Sequence, residues 1–220
     1  MFLSRLSLAD GATASPGFWR AFGDEYALHR SVWELFGDRP ERDRDFLYRL
    51  DAGHGRPLLW TLSERPPMAP PSLWTMTTRQ VAPDLRAGDL LEFDVRVNPV
   101  VCRDGKRHDV VMDRKRRSGW QRQPIDERDS EAEVIQAALG GWMAARCERL
   151  GVGIRRLAAE GYRVRRFRKP SGKHVQLGIC DLGGVLQVRE PERFLAAWRA
   201  GLGPAKGFGC GLMLIRRSRR

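Results

Sequence analysis

Residues 203–211 read Gly-Pro-Ala-Lys-Gly-Phe-Gly-Cys-Gly and run straight into the apolar Leu212, Met213, Leu214 and Ile215. Four glycines and a proline in nine residues exclude a helix or an ordinary strand interior. Glycine loses the most backbone entropy there, and proline has no amide to donate. The stretch therefore reads as a loop that delivers the chain into a last strand. Glycine also supplies left-handed backbone, and its missing Cβ lets a phosphate approach the amides closely. Lys206 stands in the middle of it. A nucleotide-binding loop needs Gly-Lys followed by Ser or Thr at the start of a helix. Here Gly-Phe-Gly follows the lysine and a strand follows that. Two readings remain: a turn that only admits the final strand, or a clamp for a nucleic-acid backbone through Lys206, Gly207 and Gly209.

Charge bears on the choice. The chain of 220 residues carries a formal net charge of +12, and its pI is near 10.5. Such a balance points to a polyanionic partner, and much of it is arginine, which suits bidentate phosphate contacts. A membrane surface is the competing polyanion. No run of about 18 apolar residues is present and the N-terminus is not signal-like, so the expected setting is the cytoplasm without membrane contact. Hydrophobic residues make up 42%, enough for real cores. Cys102, Cys147, Cys180 and Cys210 are scattered, and none stands at zinc-ligand spacing from another or from a histidine. They read as reduced thiols, and the chemistry is expected to need no metal and no cofactor.

Periodicity gives an α+β chain. Residues 2–8 alternate as a strand. Asp24 is a suitable N-cap for a helix over 25–36 that Gly37 stops. On it Leu28, Val32, Leu35 and Phe36 form the buried stripe, while Tyr26, His29 and Trp33 run down one flank on neighbouring turns, with Arg30 beside them. Residues 45–50 and 57–62 read as strands joined by Gly53, His54 and Gly55. A weak helix is expected over 72–79 and a clear strand over 90–97. Residues 102–129, rich in Lys and Arg, read as a mobile basic loop, with a short hairpin near 110–112. A helix follows over 130–150, then an arginine-rich hairpin of 162–169 with 175–179. After a Gly183-Gly184 turn come a strand over 185–188, a helix over 191–200 and the final strand. The expected fold is two tandem ferredoxin-like, RNA-recognition-motif-like βαββαβ domains, 1–98 and 99–220.

Several separated patterns coincide. They are the Tyr-x-x-His-Arg helix (Tyr26, His29, Arg30), the Arg-Val-Asn-Pro run at 96–99 and the Gly-Lys-Arg at 105–107. The terminal Gly-Pro-Ala-Lys-Gly-Phe-Gly-Cys-Gly-Leu, Asp-Phe-Leu-Tyr-Arg-Leu at 45–50 and Arg-Glu-Pro-Glu-Arg at 189–193 join them. Over essentially its whole length the chain resembles the CasE family, the CRISPR repeat-RNA endonucleases of the type I-E Cascade complex. The Pro-rich piece at 66–71 and the basic tail at 216–220 depart from that pattern.

The resemblance implies an endoribonuclease, monomeric when free, that holds the stem-loop of the CRISPR repeat on a basic face. It cuts one phosphodiester at the 3′ base of the hairpin without metal, leaving 2′,3′-cyclic phosphate and 5′-hydroxyl ends. It then stays on the guide RNA beside the other Cascade subunits. Metal-free RNA cleavage needs a group to take the 2′-hydroxyl proton, one to protonate the leaving 5′ oxygen, and charge for the phosphorane. His29 titrates in the range for either proton role, and Tyr26 is the second catalytic candidate. Arg30, Lys106, Arg107, Arg163, Arg165, Arg166, Arg168, Lys169, Lys206, Gly207 and Gly209 are the candidate RNA contacts. His54, His108 and His174 rank below His29. The rival reading is a non-catalytic double-domain RNA-binding protein in which His29 is structural.

Overall fold

A computed structural model describes the whole chain except residues 24, 38–43, 52–55, 69, 71, 169–171, 173 and 219–220. Asp24, His54 and its flanking glycines, Lys169 and the last two arginines lie outside the described residues. The N-terminal alternation forms β1 (Phe2–Leu8). It is followed by α1 (Pro16–Phe22), whose N-cap Ser15 accepts from the Phe18 amide, and by α2 (Glu25–Glu34). Strands β2 (Phe46–Asp51), β3 (Leu58–Ser63) and β4 (Trp74–Gln80) complete an antiparallel sheet of order β2-β3-β1-β4. The weak helix expected over 72–79 is thus a strand. Thr75, Thr77 and Thr78 are β-branched and suit extended backbone. Pairing with β1 from Phe2↔Gln80 to Leu8↔Trp74 gives them a ladder.

Both faces of this sheet are covered. Leu6, Phe46, Tyr48 and Leu59 pack with Leu28, Val32, Leu35 and Phe36 of the helical layer. Leu47 and Leu62 belong to the other core, shared with the second half of the chain. Successive side chains on a strand face opposite ways, so a sheet covered on both faces makes Phe46, Leu47, Tyr48 and Arg49 buried without interruption.

The second half begins with β5 (Leu90–Val97), the hairpin of β6 (Val100–Arg103) and β7 (Lys106–Asp109), and α3 (Val110–Arg117). Helices α4 (Glu131–Ala144) and α5 (Cys147–Leu150) follow. The long strands β8 (Val152–Arg168) and β9 (His174–Val188), α6 (Pro191–Ala200) and β10 (Met213–Arg217) complete it. The main sheet here runs β10-β5-β9-β8. Numbered within its own unit, each sheet has the order second, third, first, fourth: two ferredoxin-like sheets in tandem.

Three further expectations are corrected. Strand β5 was expected to close the first domain, but it pairs with β9 and β10, so the chain passes between the sheets in 81–89 rather than at 98. Alternation identifies a strand without saying which sheet it joins. The basic stretch 102–129 is not one loop: as far as Arg117 it is the β6–β7 hairpin and α3, with 110–112 the first turn of that helix, and only 118–129 is loop, broken by a 3-10 turn at Trp120–Arg122. Asp109 starts that helix by accepting the Val111 and Met112 amides, and Asp113 and Lys115 are buried in ion pairs with Arg103 and Glu131. Finally, Gly183-Gly184 is not a turn. Gly184 lies inside β9, and a Cβ on it would come 2.0 Å from the Arg156 carbonyl oxygen, where β8 shifts register.

Candidate active site at the junction of the domains

Helix α2 buries Leu28 and Val32 and leaves Tyr26, His29 and Trp33 half-buried along one flank. The His29 ring lies 5.9 Å from Tyr26 and 6.2 Å from Trp33, and the Arg30 guanidinium stands 5.5 Å above the Tyr26 ring. The spacing predicted from the helix period is therefore realised. His29 Nδ1 is buried and has no hydrogen-bond partner among the described residues. Buried polar atoms are nearly always satisfied, and His29 Nδ1 is one of five side-chain atoms among the described residues that are not. Burial holds the His29 pKa below the ordinary 6.5; a hydrogen bond to the Gly207 backbone works in the opposite direction, and nearby Arg44 lowers it further.

The glycine-rich loop supplies the facing wall. Lys206–Phe208 makes a single 3-10 turn between Ala205 and Gly209, both in the left-handed region at φ 59° and 76°. The buried Tyr48 of β2 donates its hydroxyl proton to the Gly207 carbonyl at 2.6 Å. The Gly211 amide donates to the Arg96 carbonyl at 2.7 Å. The loop is thus pinned to both sheets, and it lays the Phe208 ring 6.0 Å from His29 at 28°. Gly207 does not adopt a left-handed backbone. Its missing Cβ matters for space, since that atom would lie 3.0 Å from the Arg44 guanidinium and 3.4 Å from His29.

Arg44 was not singled out from the sequence, where nothing sets it apart from the arginines around it. The residue is exposed, but its guanidinium lies 5.9 Å from the Trp33 ring, and partial desolvation there lowers its pKa, with Tyr48 acting the other way. Its guanidinium has no carboxylate partner among the described residues. Placed as it is beside Gly207 and His29, that guanidinium is positioned to meet a phosphate. Lys206 is partly buried too, which lowers its pKa, with Arg44 and Arg149 adding to the effect.

Beside this wall a cleft of about 430 Å³ opens between the domains, lined among others by Phe22, Phe167, Phe208, Arg96, Arg165 and Arg166. The arginine-rich part of β8 therefore reaches the catalytic candidates, with Phe167 and Phe208 in contact at 4.8 Å. Two interlocked ion-pair groups hold the cleft's floor. Arg96 grips Asp181 through two nitrogens (2.7 and 3.0 Å) and donates to the Leu50 carbonyl at 2.6 Å. Arg49 grips Asp94 likewise (2.7 and 3.0 Å) and donates to Asp51. Each arginine takes partners from both sheets.

A family model described as "CRISPR associated protein" matches residues 1–217. Over 196 residues the chain is 28% identical to the CRISPR system Cascade subunit CasE of Escherichia coli (strain K12), covering 87% of this chain and 92% of the relative. The chain belongs to the CasE family. This CasE-family chain is also 27% identical over 233 residues to the CRISPR-associated endoribonuclease Cse3 of Thermus thermophilus, covering 98% of the one and 99% of the other. In three dimensions it matches a structure of Thermus thermophilus Cse3 bound to an RNA representing a pre-cleavage complex. That match has a TM-score of 0.71 at 23% identity, over 98% of each chain.

In the CasE-family chain the sequence-predicted residues fall into two groups. Tyr26, His29, Arg30, Lys206, Gly207, Gly209, Arg165 and Arg166 gather around the cleft and its wall. Lys106 and Arg107 lie elsewhere, exposed on the separate β6–β7 hairpin. Arg163 is turned toward Asp181 at 3.8 Å, and Arg168 donates to the Gly172 carbonyl near the hairpin tip. Of the lesser histidines, His108 lies on β7 and His174 starts β9, neither beside His29.

Proposed function

We propose that this chain is an endoribonuclease that matures CRISPR RNA by cutting repeat stem-loops and then remains on the guide RNA as a Cascade subunit. One observation carries the reading: a half-buried histidine, with a ring nitrogen unsatisfied among the described residues, sits beside Tyr26 and Arg44 and against the loop that carries Lys206, at the edge of an arginine-lined cleft. The names of the relatives, a Cascade subunit and an endoribonuclease, support it.

In this reading the lowered pKa leaves His29 neutral at pH 7, the form able to take a proton. His29 removes the proton from the 2′-hydroxyl, and the 2′ oxygen attacks the adjacent phosphorus. The bond to the 5′ oxygen breaks, and that oxygen takes a proton from the Lys206 ammonium or the Tyr26 hydroxyl. A 2′,3′-cyclic phosphate and a 5′-hydroxyl result. Arg30 and Arg44 stabilise the charge of the phosphorane, an effect largest where water is excluded. The sequence leaves the direction of proton transfer open; the burial of the ring favours the base.

The assignment fixes the sign of a pH profile. For cleavage limited by a neutral histidine, kcat/KM reports the free enzyme's group. The rate should climb with pH through a midpoint below 6.5 and level off at neutrality. A rate that instead falls as pH rises through that region makes His29 the acid.

Binding is expected to rest on the β8 arginines. Converting Arg165 and Arg166 together to alanine should weaken affinity for a repeat hairpin by about 10-fold or more and flatten the slope of log K against log salt. Each lost phosphate contact removes a released counterion. Unchanged affinity and slope would place the RNA on a different surface.

A further inference from the structure

The second half of the chain carries a basic groove outside the cleft. Helices α3 and α4 leave a space of about 530 Å³ between them, lined among others by Arg103, Arg114, Arg117 and Arg146. The carboxylate among its lining residues, Asp113, is already paired with Arg103 and Arg116. Arg114 and Arg117 are exposed and make no salt bridge among the described residues. Arg146 is held in place: its guanidinium lies 3.8 Å over the Trp142 ring and donates to the Trp142 and Val100 carbonyls at 2.7 and 3.3 Å. Like charges gathered in one concavity repel each other in the free protein and draw in a polyanion. The floor is made of small residues, Ala137, Gly141 and Ala145. A Cβ on Gly141 would meet no atom within 4 Å, so the groove is open down to the α4 backbone.

This groove connects with the wall that faces His29. Trp142, which lines it, also touches the start of the glycine-rich loop, where a Cβ on Gly203 would lie 3.6 Å from its ring. Arg149 of α5 stands within electrostatic reach of both sides. Burial and then Arg149 lower the pKa of Arg146, while burial, Arg44 and Arg149 lower that of Lys206. Cations therefore lead from Arg44 and Lys206, by way of Arg149 and Arg146, to Arg114 and Arg117. That continuity favours a nucleic acid over a protein segment, which would not need it. An A-form stem is too wide for the groove, whereas the sugar–phosphate backbone of a single strand fits, and arginine forks suit its phosphates. In the endonuclease reading the stem lies 5′ of the cut and rests on β8, so the strand emerging past Lys206 is the 3′ side.

We propose that the α3–α4 groove is a binding track for the single-stranded RNA on the 3′ side of the cut, the part of the precursor that leaves after cleavage. Arg114, Arg117 and Arg146 hold its phosphates without reading its bases, and Arg149 carries the strand from Lys206 to the groove. The track favours uncut precursor. Cleavage severs the strand from the stem held on β8, and the released fragment keeps only these few contacts. The proposal rests on the endonuclease reading and adds to it a substrate contact away from the catalytic machinery.

The test measures binding of repeat hairpins with 2′-deoxyribose at the cut, which lack the attacking hydroxyl and stay whole. One ends just past the cut, one carries a long polyuridine extension at the 3′ end, and one carries the same extension at the 5′ end. Wild type should bind the 3′-extended RNA about 10-fold more tightly than the short hairpin, with a steeper fall of log K against log salt. Replacing Arg114 and Arg117 together by alanine should leave affinity for the short hairpin unchanged. It should abolish most of the gain and lower the slope for 3′-extended RNA by about 1.4, the weight of two single-strand phosphate contacts. Gly141→Leu fills the groove at unchanged charge and should remove the gain as well. Both variants should melt as wild type does, since the replaced residues are exposed. No gain from the 3′ extension in wild type, an equal gain from the 5′ extension, or the full gain in both variants would overturn the track. Variants that bind every RNA as wild type does but drop out of assembled Cascade would assign the groove to a protein neighbour and overturn it too. Failure of wild type to cut an all-ribose hairpin is a separate result, which removes the endonuclease reading while the binding comparison still judges the groove.

Discussion

Replacing His29 by alanine is expected to slow single-turnover cleavage of a repeat hairpin by about 10²-fold or more, the usual weight of a general acid–base group. Affinity should stay within a few fold. The separation of rate from binding follows from the layout. His29 sits on α2 under Phe208, while the cations expected to hold the stem stand on β8. Tyr26→Phe should cost less than His29→Ala, because in the proposed reading Arg30, Arg44 and Lys206 remain to bind the phosphate. A histidine of purely structural use behaves differently. Its loss would then lower the melting temperature and leave the rate per folded molecule unchanged, which is the outcome that separates the two roles.

The second large effect is on stability. Arg96→Ala should destabilise the protein by about 3–5 kcal/mol, the cost of removing one member of a buried ion pair. At roughly 2–4 °C per kcal/mol for a chain of this size, the melting temperature should fall by ~10 °C. Arg96 is 9% exposed. Its removal strands Asp181, whose pKa the Arg96 partnership lowers against the opposing effect of burial, and leaves the Leu50 carbonyl without its donor. Because Leu50 belongs to the first sheet and Asp181 to the second, the loss also loosens the junction that forms the cleft. Arg216→Ala is the matched control. That arginine pairs with Glu92 at the surface, where a salt bridge contributes little, and melting should not move measurably. A melt equal to wild type for Arg96→Ala would mean that the hydrophobic contacts of Leu47 and Leu62 hold the domains together unaided.

Much of this arrangement was legible in the sequence where a local period carries the information. The 3.6-residue period of 25–36 placed Leu28 and Val32 inward and lined up Tyr26, His29 and Trp33, as observed. The resemblance to the CasE family carried the function further than any period could. What was not legible is non-local. Strand β5 alternates equally well in either sheet, and only its pairing with β9 and β10 assigns it. The charge run 103–117 looked like a solvated loop because Asp113 and Lys115 are neutralised by partners, Arg103 and Glu131, that no periodicity reveals. Arg96 was visible only as part of a motif, while its work is a bridge to residues at 50 and 181. Arg44 was missed because its significance lies in its place beside Gly207 and His29, which only the folded chain brings to it.

The central claim is that this chain cuts the repeat RNA by internal transfer to phosphorus, with His29 moving the proton. The most direct measurement incubates the protein with a repeat hairpin in EDTA and determines the masses of the product ends, in parallel with His29→Ala. The account predicts a single cut, a 2′,3′-cyclic phosphate on one fragment and a 5′-hydroxyl on the other, with the variant binding but not cutting. Tight binding without cleavage by wild type, or cleavage at the wild-type rate by His29→Ala, would contradict it.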